Sequence, residues 1–209
     1  VRIRRNELCI IVGPVGSGKS SFLMALLGEL RANHSPSVRV SSDQSIAYSA
    51  QDPHILSGTV EENILFPASL LDEKTDSVRQ RCGELIRKLG LQDRRKALPQ
   101  TLSGGEKQRV AIARTLLTNS SILIFDDSTS SVDAGTDARI RLALKELTKG
   151  QTTVIIAHRL SSLKHAEEIL VLDSGEVIER GTHDELVQLG GRYSELWDLQ
   201  RGDLGTVEE

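Results

Sequence analysis

Residues Gly13-Pro14-Val15-Gly16-Ser17-Gly18-Lys19-Ser20 satisfy the pattern G-x-x-x-x-G-K-[ST], and the apolar run Leu8-Cys9-Ile10-Ile11-Val12 just before them reads as a buried strand. Glycines at this spacing let the backbone curl until several N–H groups converge on one small volume, and a following helix adds the positive end of its dipole. The chemistry of such a loop is the capture of phosphate oxygens. Lys19 is expected to reach the β and γ phosphates of a nucleoside triphosphate, and Ser20, followed by Ser21, to offer its hydroxyl toward a magnesium ion.

Further along, Ser121-Ile122-Leu123-Ile124-Phe125 is an apolar strand ending in Asp126-Asp127. A carboxylate at the C-terminal end of a parallel strand lies where an α/β protein meets its phosphate ligand, so Asp126 is the expected magnesium partner, acting through water. Leu102-Ser103-Gly104-Gly105-Glu106-Lys107-Gln108-Arg109 precedes Val110, Ile112, Ala113, Leu116 and Leu117, which are apolar at helical spacing. Ser103-Gly104-Gly105 therefore opens a helix, and its amide end is a second candidate anion site. Val154-Ile155-Ile156-Ala157 is another buried strand and delivers His158 at its end, with Ser130-Ser131-Val132-Asp133 between the two strands.

These groups need a scaffold, and the hydrophobic pattern supplies one. Strand signals near residues 7–12, 45–49, 121–126 and 152–157 alternate with helical stretches such as Lys19 to Leu30 and Thr136 to Lys149. Crossovers of this kind imply parallel strands in a doubly wound α/β core. Residues Glu61 to Gln100 carry no strong strand signal and contain the amphipathic stretch Asp76 to Leu89 ended by Gly90, which predicts a helical insert. Ile169 to Asp173 and Glu176 to Arg180 flank Ser174-Gly175, a hairpin signal, and Thr182 with Glu185 reads as a capping box. The expected organisation is a single domain over residues 1–209, with a core over about 1–60 and 118–200, a helical subdomain over about 61–117 and a loose polar tail from Arg201.

Composition excludes several classes. A chain of 209 residues can bury a substantial core. Its formal net charge of −3 makes no electrostatic case for nucleic acid. Apolar runs reach about five residues, against roughly 20 needed to span a bilayer, and the N-terminus lacks the apolar core of a signal peptide. Any membrane role is expected to come through a partner. Cys9 lies in a strand run, and Cys82 shares an apolar helical face with Val78, Leu85, Ile86 and Leu89. Both read as buried thiols rather than a metal or redox pair, which suits a reducing compartment.

In these motifs and their order the chain resembles the nucleotide-binding domain of an ABC (ATP-binding cassette) transporter of the exporter type: phosphate loop, Gln51 loop, Leu-Ser-Gly-Gly signature, Asp126 strand, Asp133 loop and His158. The resemblance covers nearly the whole chain. It implies an α/β P-loop NTPase fold with an ABC-type, RecA-like core and an inserted helical subdomain, binding ATP and Mg2+. It implies that Gly13 to Ser21 hold the triphosphate, that Ser20, Gln51 and Asp126 hold magnesium, and that Asp127 polarises the attacking water. His158 would hydrogen-bond the γ-phosphate and hold that water, and Asp133 would join the nucleotide site. Ser103, Gly104, Gly105 and Glu106 would cover the γ-phosphate bound by an opposing nucleotide-binding domain, in a homodimer or an unequal heterodimer. Closure around two ATP molecules, and release after hydrolysis, would drive attached transmembrane domains from the cytoplasmic or mitochondrial-matrix face of a membrane. The phosphate loop and Glu62-Asn63-Ile64-Leu65-Phe66 are similar to the first nucleotide domain of the multidrug-resistance-associated group, whereas Leu102 to Thr115, Ile156 to Ser161 and Glu179 to His183 look more like mitochondrial iron–sulfur-linked exporters and other half-transporters. The subfamily stays open.

Departures from the family pattern carry expectations of their own. Asp127 stands where active members usually have Glu, and a carboxylate one methylene shorter is expected to polarise water poorly, so hydrolysis is expected to be slow. Glu106 replaces the usual Gln at the fifth signature position, a change that the mitochondrial group shares and that is expected to be tolerated. No aromatic residue stands where the family stacks adenine, about two dozen residues before the phosphate loop, and Asp93-Arg94-Arg95-Lys96-Ala97-Leu98-Pro99-Gln100 replaces the Gly-Glu-containing loop that exporters turn toward membrane helices. An excised, shortened or engineered form of the domain is one reading of both, and the basic run reads most simply as a solvated surface segment, with a partner or lipid-headgroup site as the alternative. Beside the ATPase motor, two other readings remain: a nucleotide-binding regulatory module with little hydrolysis, and a non-transport ABC ATPase of DNA repair or chromosome structure. The last would carry a long coiled coil or a zinc module before the signature, and neither heptads nor paired cysteines occur there.

Overall fold

The computed structural model describes residues 1–30, 40–41, 43–70, 75–126, 140, 143–157 and 164–204, with side chains described up to Leu199. Asp127, Asp133 and His158 lie outside the described residues, as do residues 136–139 and 141–142 of the helix expected over Thr136 to Lys149, of which Ile140 and Ala143 to Leu147 are helical. In chain order the elements are β1 (Leu8–Val12), α1 (Lys19–Leu26), β2 (Ile46–Ser49), α2 (Val60–Leu70), α3 (Asp76–Lys88), α4 (Gly104–Leu117), β3 (Ile122–Asp126), β4 (Thr152–Ile156), β5 (Glu168–Asp173), β6 (Glu176–Gly181), α5 (His183–Leu189) and α6 (Arg192–Leu204). They form two compact units, one of Val1–Gln44 with Thr152–Glu209 and one of Ser45–Gln151.

In the first unit the strands lie in the order β4-β1-β5-β6. β1 is parallel to both neighbours, with Ile10 opposite Ile155 and Ile169. A strand buried on both faces needs a continuous apolar run, which Cys9-Ile10-Ile11-Val12 supplies at 0 to 2% exposure. β5 returns antiparallel into β6 across Ser174-Gly175, both in the left-handed region at φ 48 and 83, the two-residue hairpin its sequence predicts. α1 ends four residues before the expected Leu30. Gly28 at φ 79 donates its N–H to the Ala25 carbonyl at 3.1 Å and Glu29 to the Met24 carbonyl at 2.9 Å, a Schellman stop that outweighs the helix-forming residues beyond it. α5 starts on the Thr182–Glu185 capping box. α6 packs Tyr193 into a core with Ile10, Val12, Ile169, Val171 and Leu186, while the Tyr193 hydroxyl and His183 Nδ1 share a 2.7 Å hydrogen bond.

In the second unit β2 and β3 run parallel, with Ser49 opposite Phe125. The remaining described elements up to α4 are helical, as the pattern over Glu61 to Gln100 predicts. α3 opens on Thr75, whose hydroxyl accepts from the Val78 N–H, and closes on Gly90 at φ 64 with a second Schellman stop: Gly90 N–H to Arg87 carbonyl, Leu91 N–H to Ile86 carbonyl. The basic run before the signature is exposed from Asp93 to Lys96, the surface segment its composition predicts, and is also tied to its neighbours. Arg95 grips Glu61 with two hydrogen bonds and Arg94 pairs with Glu106, because the loop's own carbonyls, at Arg95 and Ala97, cap the first N–H groups of α2 and so fix it in place.

Cys9 and Cys82 are both buried and free. Burial, reinforced at Cys9 by Glu168 and at Cys82 by Glu61, pushes the thiols up to about 12 and about 11, so both stay protonated and unreactive.

Candidate functional site

The phosphate loop joins β1 to α1, and its glycines have distinct jobs. A side chain at Gly13 would drive a carbon into the Leu172 carbonyl and the Ser17 hydroxyl, so the close approach of loop and β5 admits no other residue. Gly18 caps α1 at φ 95, a left-handed conformation that leaves the first N–H groups of the helix without a side-chain cap. The loop is braced by Ser17 N–H to the Pro14 carbonyl at 3.2 Å and by Gly175 N–H, from the β5–β6 turn, to the Ser17 carbonyl at 3.0 Å. Lys19, only 7% exposed, lays its ammonium across the loop and donates to the Gly13 and Pro14 carbonyls at 2.9 and 2.8 Å. Ser17 Oγ is buried with no hydrogen-bond partner. An orphaned hydroxyl, an ammonium held by loop carbonyls and an uncapped helix N-terminus together fit a triphosphate. Ser20 and Ser21 follow on the exposed side of the first helical turn.

In the second unit, β3 ends at Asp126, 5% exposed. On the neighbouring strand the Tyr48 hydroxyl donates to Asp126 Oδ2 at 3.3 Å, and burial, followed by the carboxylate's charge, pushes the phenol up to about 12. The phenol therefore stays a donor at any physiological pH and restrains the carboxylate. Ser49, at the carboxyl end of β2, is 3% exposed and its hydroxyl has no partner. Gln51 follows two residues later with its side chain exposed and its backbone carbonyl held by Gln108 Nε2, from α4, at 3.4 Å. Within this unit Asp126 and Gln51 both offer oxygen donors of the hard type that magnesium takes.

The signature forms the head of α4. Ser103 is its N-cap, with Ser103 Oγ accepting from the Glu106 N–H at 3.2 Å and Glu106 Oε2 accepting from the Ser103 N–H at 2.7 Å. Ser103 and Gly104 are exposed, so this amide end faces outward.

A buried polar hub ties the segment after Gln51 to α4. Asn63, 2% exposed, donates Nδ2 to the carbonyls of Leu56, Gly58 and Thr59 and accepts from the Leu56 N–H at 2.8 Å. Arg114 grips this hub, donating to the Asn63 carbonyl at 3.0 Å, Asn63 Oδ1 at 2.6 Å and the His54 carbonyl at 2.7 Å. Hydrogen bonds to a charged group contribute about 1.5–3 kcal/mol, so Arg114→Ala is expected to destabilise the chain by about 2–4 kcal/mol in urea unfolding. Arg114→Lys is expected to recover little, because one ammonium cannot reproduce a planar fork on three acceptors. A midpoint shift worth less than about 0.5 kcal/mol would remove the hub from the stability argument.

Gly13 to Ser21 thus gather at one strand–helix junction of the first unit. In the second, Asp126 ends β3 and Gln51 follows the end of the adjacent parallel strand β2, and Ser103 to Glu106 head the helix that holds the Gln51 carbonyl. Asp127, Asp133 and His158 are outside the described residues. Sequence reasoning passes over Tyr48, Ser49, Asn63, Gln108 and Arg114. The only local clue to them is polar residues in otherwise apolar runs, as Tyr48 and Ser49 stand in Ile46-Ala47-Tyr48-Ser49.

A family model described as ABC transporter matches residues 1–130. The uncharacterized ABC transporter ATP-binding protein YknU of Bacillus subtilis is 41% identical over 214 residues, covering 95% of this chain and 37% of that protein. The β-(1→2)glucan export ATP-binding/permease protein NdvA of Agrobacterium fabrum is 36% identical over 99% of this chain and 37% of its own length. A solved structure of a bacterial Atm1-family ABC exporter with ATP bound is similar with a TM-score of 0.80 and 31% identity, over 95% of this chain and 37% of that one. The chain therefore spans little more than a third of the length of these relatives. With a phosphate loop built as above, an α/β core and these similarities, the chain belongs to the ABC transporter family, as an ATP-binding ATPase domain.

Proposed function

We propose that the chain drives export: it associates head to tail with a second nucleotide-binding domain around Mg-ATP, and the cycle of closure and opening works attached transmembrane domains. The observation that carries the reading is the phosphate loop, with Lys19 drawn over Gly13 and Pro14 and Ser17 Oγ buried without a partner. Backbone N–H groups from Gly13 to Ser21 would hold the triphosphate, Lys19 would neutralise it, and Ser20, Gln51 and Asp126 would hold magnesium. That ion, when bound, draws charge from the β- and γ-phosphate oxygens. Asp127 would accept a hydrogen bond from the attacking water, His158 would orient it, and Asp133 would join the site. Ser103 to Glu106 would cover the γ-phosphate of the opposing domain, which leaves each site incomplete in a lone chain. No helix among the described residues is long and apolar enough to cross a membrane, so transmembrane domains enter this reading as separate segments or partners. The Asp127 carboxylate favours a second reading, in which ATP mainly holds a dimer together and turnover is slow.

Mg-ATP is expected to shift the purified chain from monomer to dimer in light scattering, and Ser103→Arg is expected to prevent the shift by crowding the amide end of α4. A chain that stays monomeric in saturating Mg-ATP would remove the head-to-tail site.

A further inference from the structure

The segment between α3 and α4 holds one guanidinium in one place. Arg94 ends a short 3-10 turn over Gln92–Arg94, and its carbonyl accepts from the Ala97 N–H at 2.8 Å. The next residues are tied to α2 by Val60 N–H to the Ala97 carbonyl and Glu61 N–H to the Arg95 carbonyl, both at 3.1 Å, and by the two-pronged Arg95–Glu61 pair. From this anchor Arg94 Nε donates to Glu106 Oε1 at 2.8 Å. The other oxygen of Glu106 is the one that accepts from the Ser103 N–H. Arg94, Glu106 and Ser103 are therefore consecutive links leading to the amide end of α4.

Glu106 has opposing effects there. A carboxylate in the first turn complements the helix dipole, yet its charge repels any phosphate approaching the same N–H groups. Burial works to raise its proton affinity, but the hydrogen bonds from Ser103 and Arg94 outweigh it and hold the carboxyl below its ordinary range, so the charge is present at neutral pH. A glutamine would carry no such charge.

We propose that Arg94 is a positioning residue for the nucleotide-covering end of α4: its guanidinium masks the Glu106 carboxylate and keeps it turned onto the Ser103 N–H. The Ser103 hydroxyl and the Gly104 and Gly105 N–H groups then meet a phosphate without net repulsion. The inference rests on the reading that this end covers ATP held by an opposing domain. It assigns the unusual loop before the signature a task, compensation for an acidic signature.

The test is Mg-ATP-dependent dimerisation of the chain, followed by light scattering at low and high salt. Arg94→Gln is expected to weaken association about two- to fivefold per site at low ionic strength, the range for a charge at an exposed helix end. The deficit relative to the parent should shrink near 1 M salt, where the Debye length is about 3 Å. Adding Glu106→Gln to Arg94→Gln is expected to recover the lost association, since a neutral amide oxygen still accepts from Ser103 and leaves nothing to mask. Arg94→Lys, which keeps the charge, should fall between parent and Arg94→Gln. Equal dimerisation by Arg94→Gln and parent, a deficit indifferent to salt, or a double variant no better than the single one would overturn the proposal while leaving the head-to-tail reading intact. A parent chain that never dimerises would overturn that reading and this inference with it.

Discussion

Lys19→Ala is expected to abolish measurable binding of Mg-ATP in calorimetry, with a loss on the order of 10²- to 10³-fold. Lys19 is 7% exposed and its ammonium is fastened by two loop carbonyls, so it has little freedom left to lose on meeting a phosphate. A unit charge about 4 Å from a phosphate oxygen in a partly buried setting contributes on the order of 4 kcal/mol, which is about three decades of affinity. The substitution also removes the Lys19 donor from the Gly13 and Pro14 carbonyls, leaving Pro14 with the Ser17 N–H alone. Thermal unfolding without nucleotide separates this loss from misfolding, since α1 tolerates alanine at an N-terminal position. An affinity unchanged from the parent would sink the assignment of the phosphate loop.

Asp127→Glu is expected to raise ATP turnover without a matching change in ATP affinity. Asp126 is held by β3 and by the Tyr48 hydroxyl, so lengthening residue 127 is expected to leave it in place. General-base contributions of about 10²- to 10⁴-fold set the upper limit, and a partial gain is expected because the role proposed for His158 already includes holding the water. Asp127→Asn is the control: it should bind ATP and dimerise as the parent does while hydrolysing still less. A Glu variant no faster than the parent would put the limit in dimer closure and favour the reading in which ATP serves mainly to join two domains.

What contiguous residues decide is legible in the sequence. The strands β1, β3 and β4 announce themselves as short apolar runs rich in β-branched residues, because burial on both faces demands them, whereas β2 is buried at alternate positions only. The Ser174-Gly175 hairpin and the Thr182 and Ser103 caps are legible because the groups that satisfy each other lie within a few residues. The end of α1 escapes the sequence pattern although its signal, Gly28, is local, since the residues beyond it continue the helical pattern and only the left-handed turn decides.

The sequence by itself therefore determined the element types, the phosphate loop and the signature helix, since a phosphate-binding turn and a helix cap are each made of a single short stretch of backbone. Only the tertiary structure decided how those parts are held. Arg94 and Glu106 stand 12 residues apart, Gln108 and Gln51 57, Arg114 and His54 60, Tyr48 and Asp126 78. No periodicity links such pairs. A guanidinium reads as a solvated charge until a fixed loop brings it to a carboxylate, and a buried asparagine or glutamine reads as an interruption until the carbonyls it satisfies are folded around it, because a hydrogen-bond partner is chosen by position in space and not by distance along the chain.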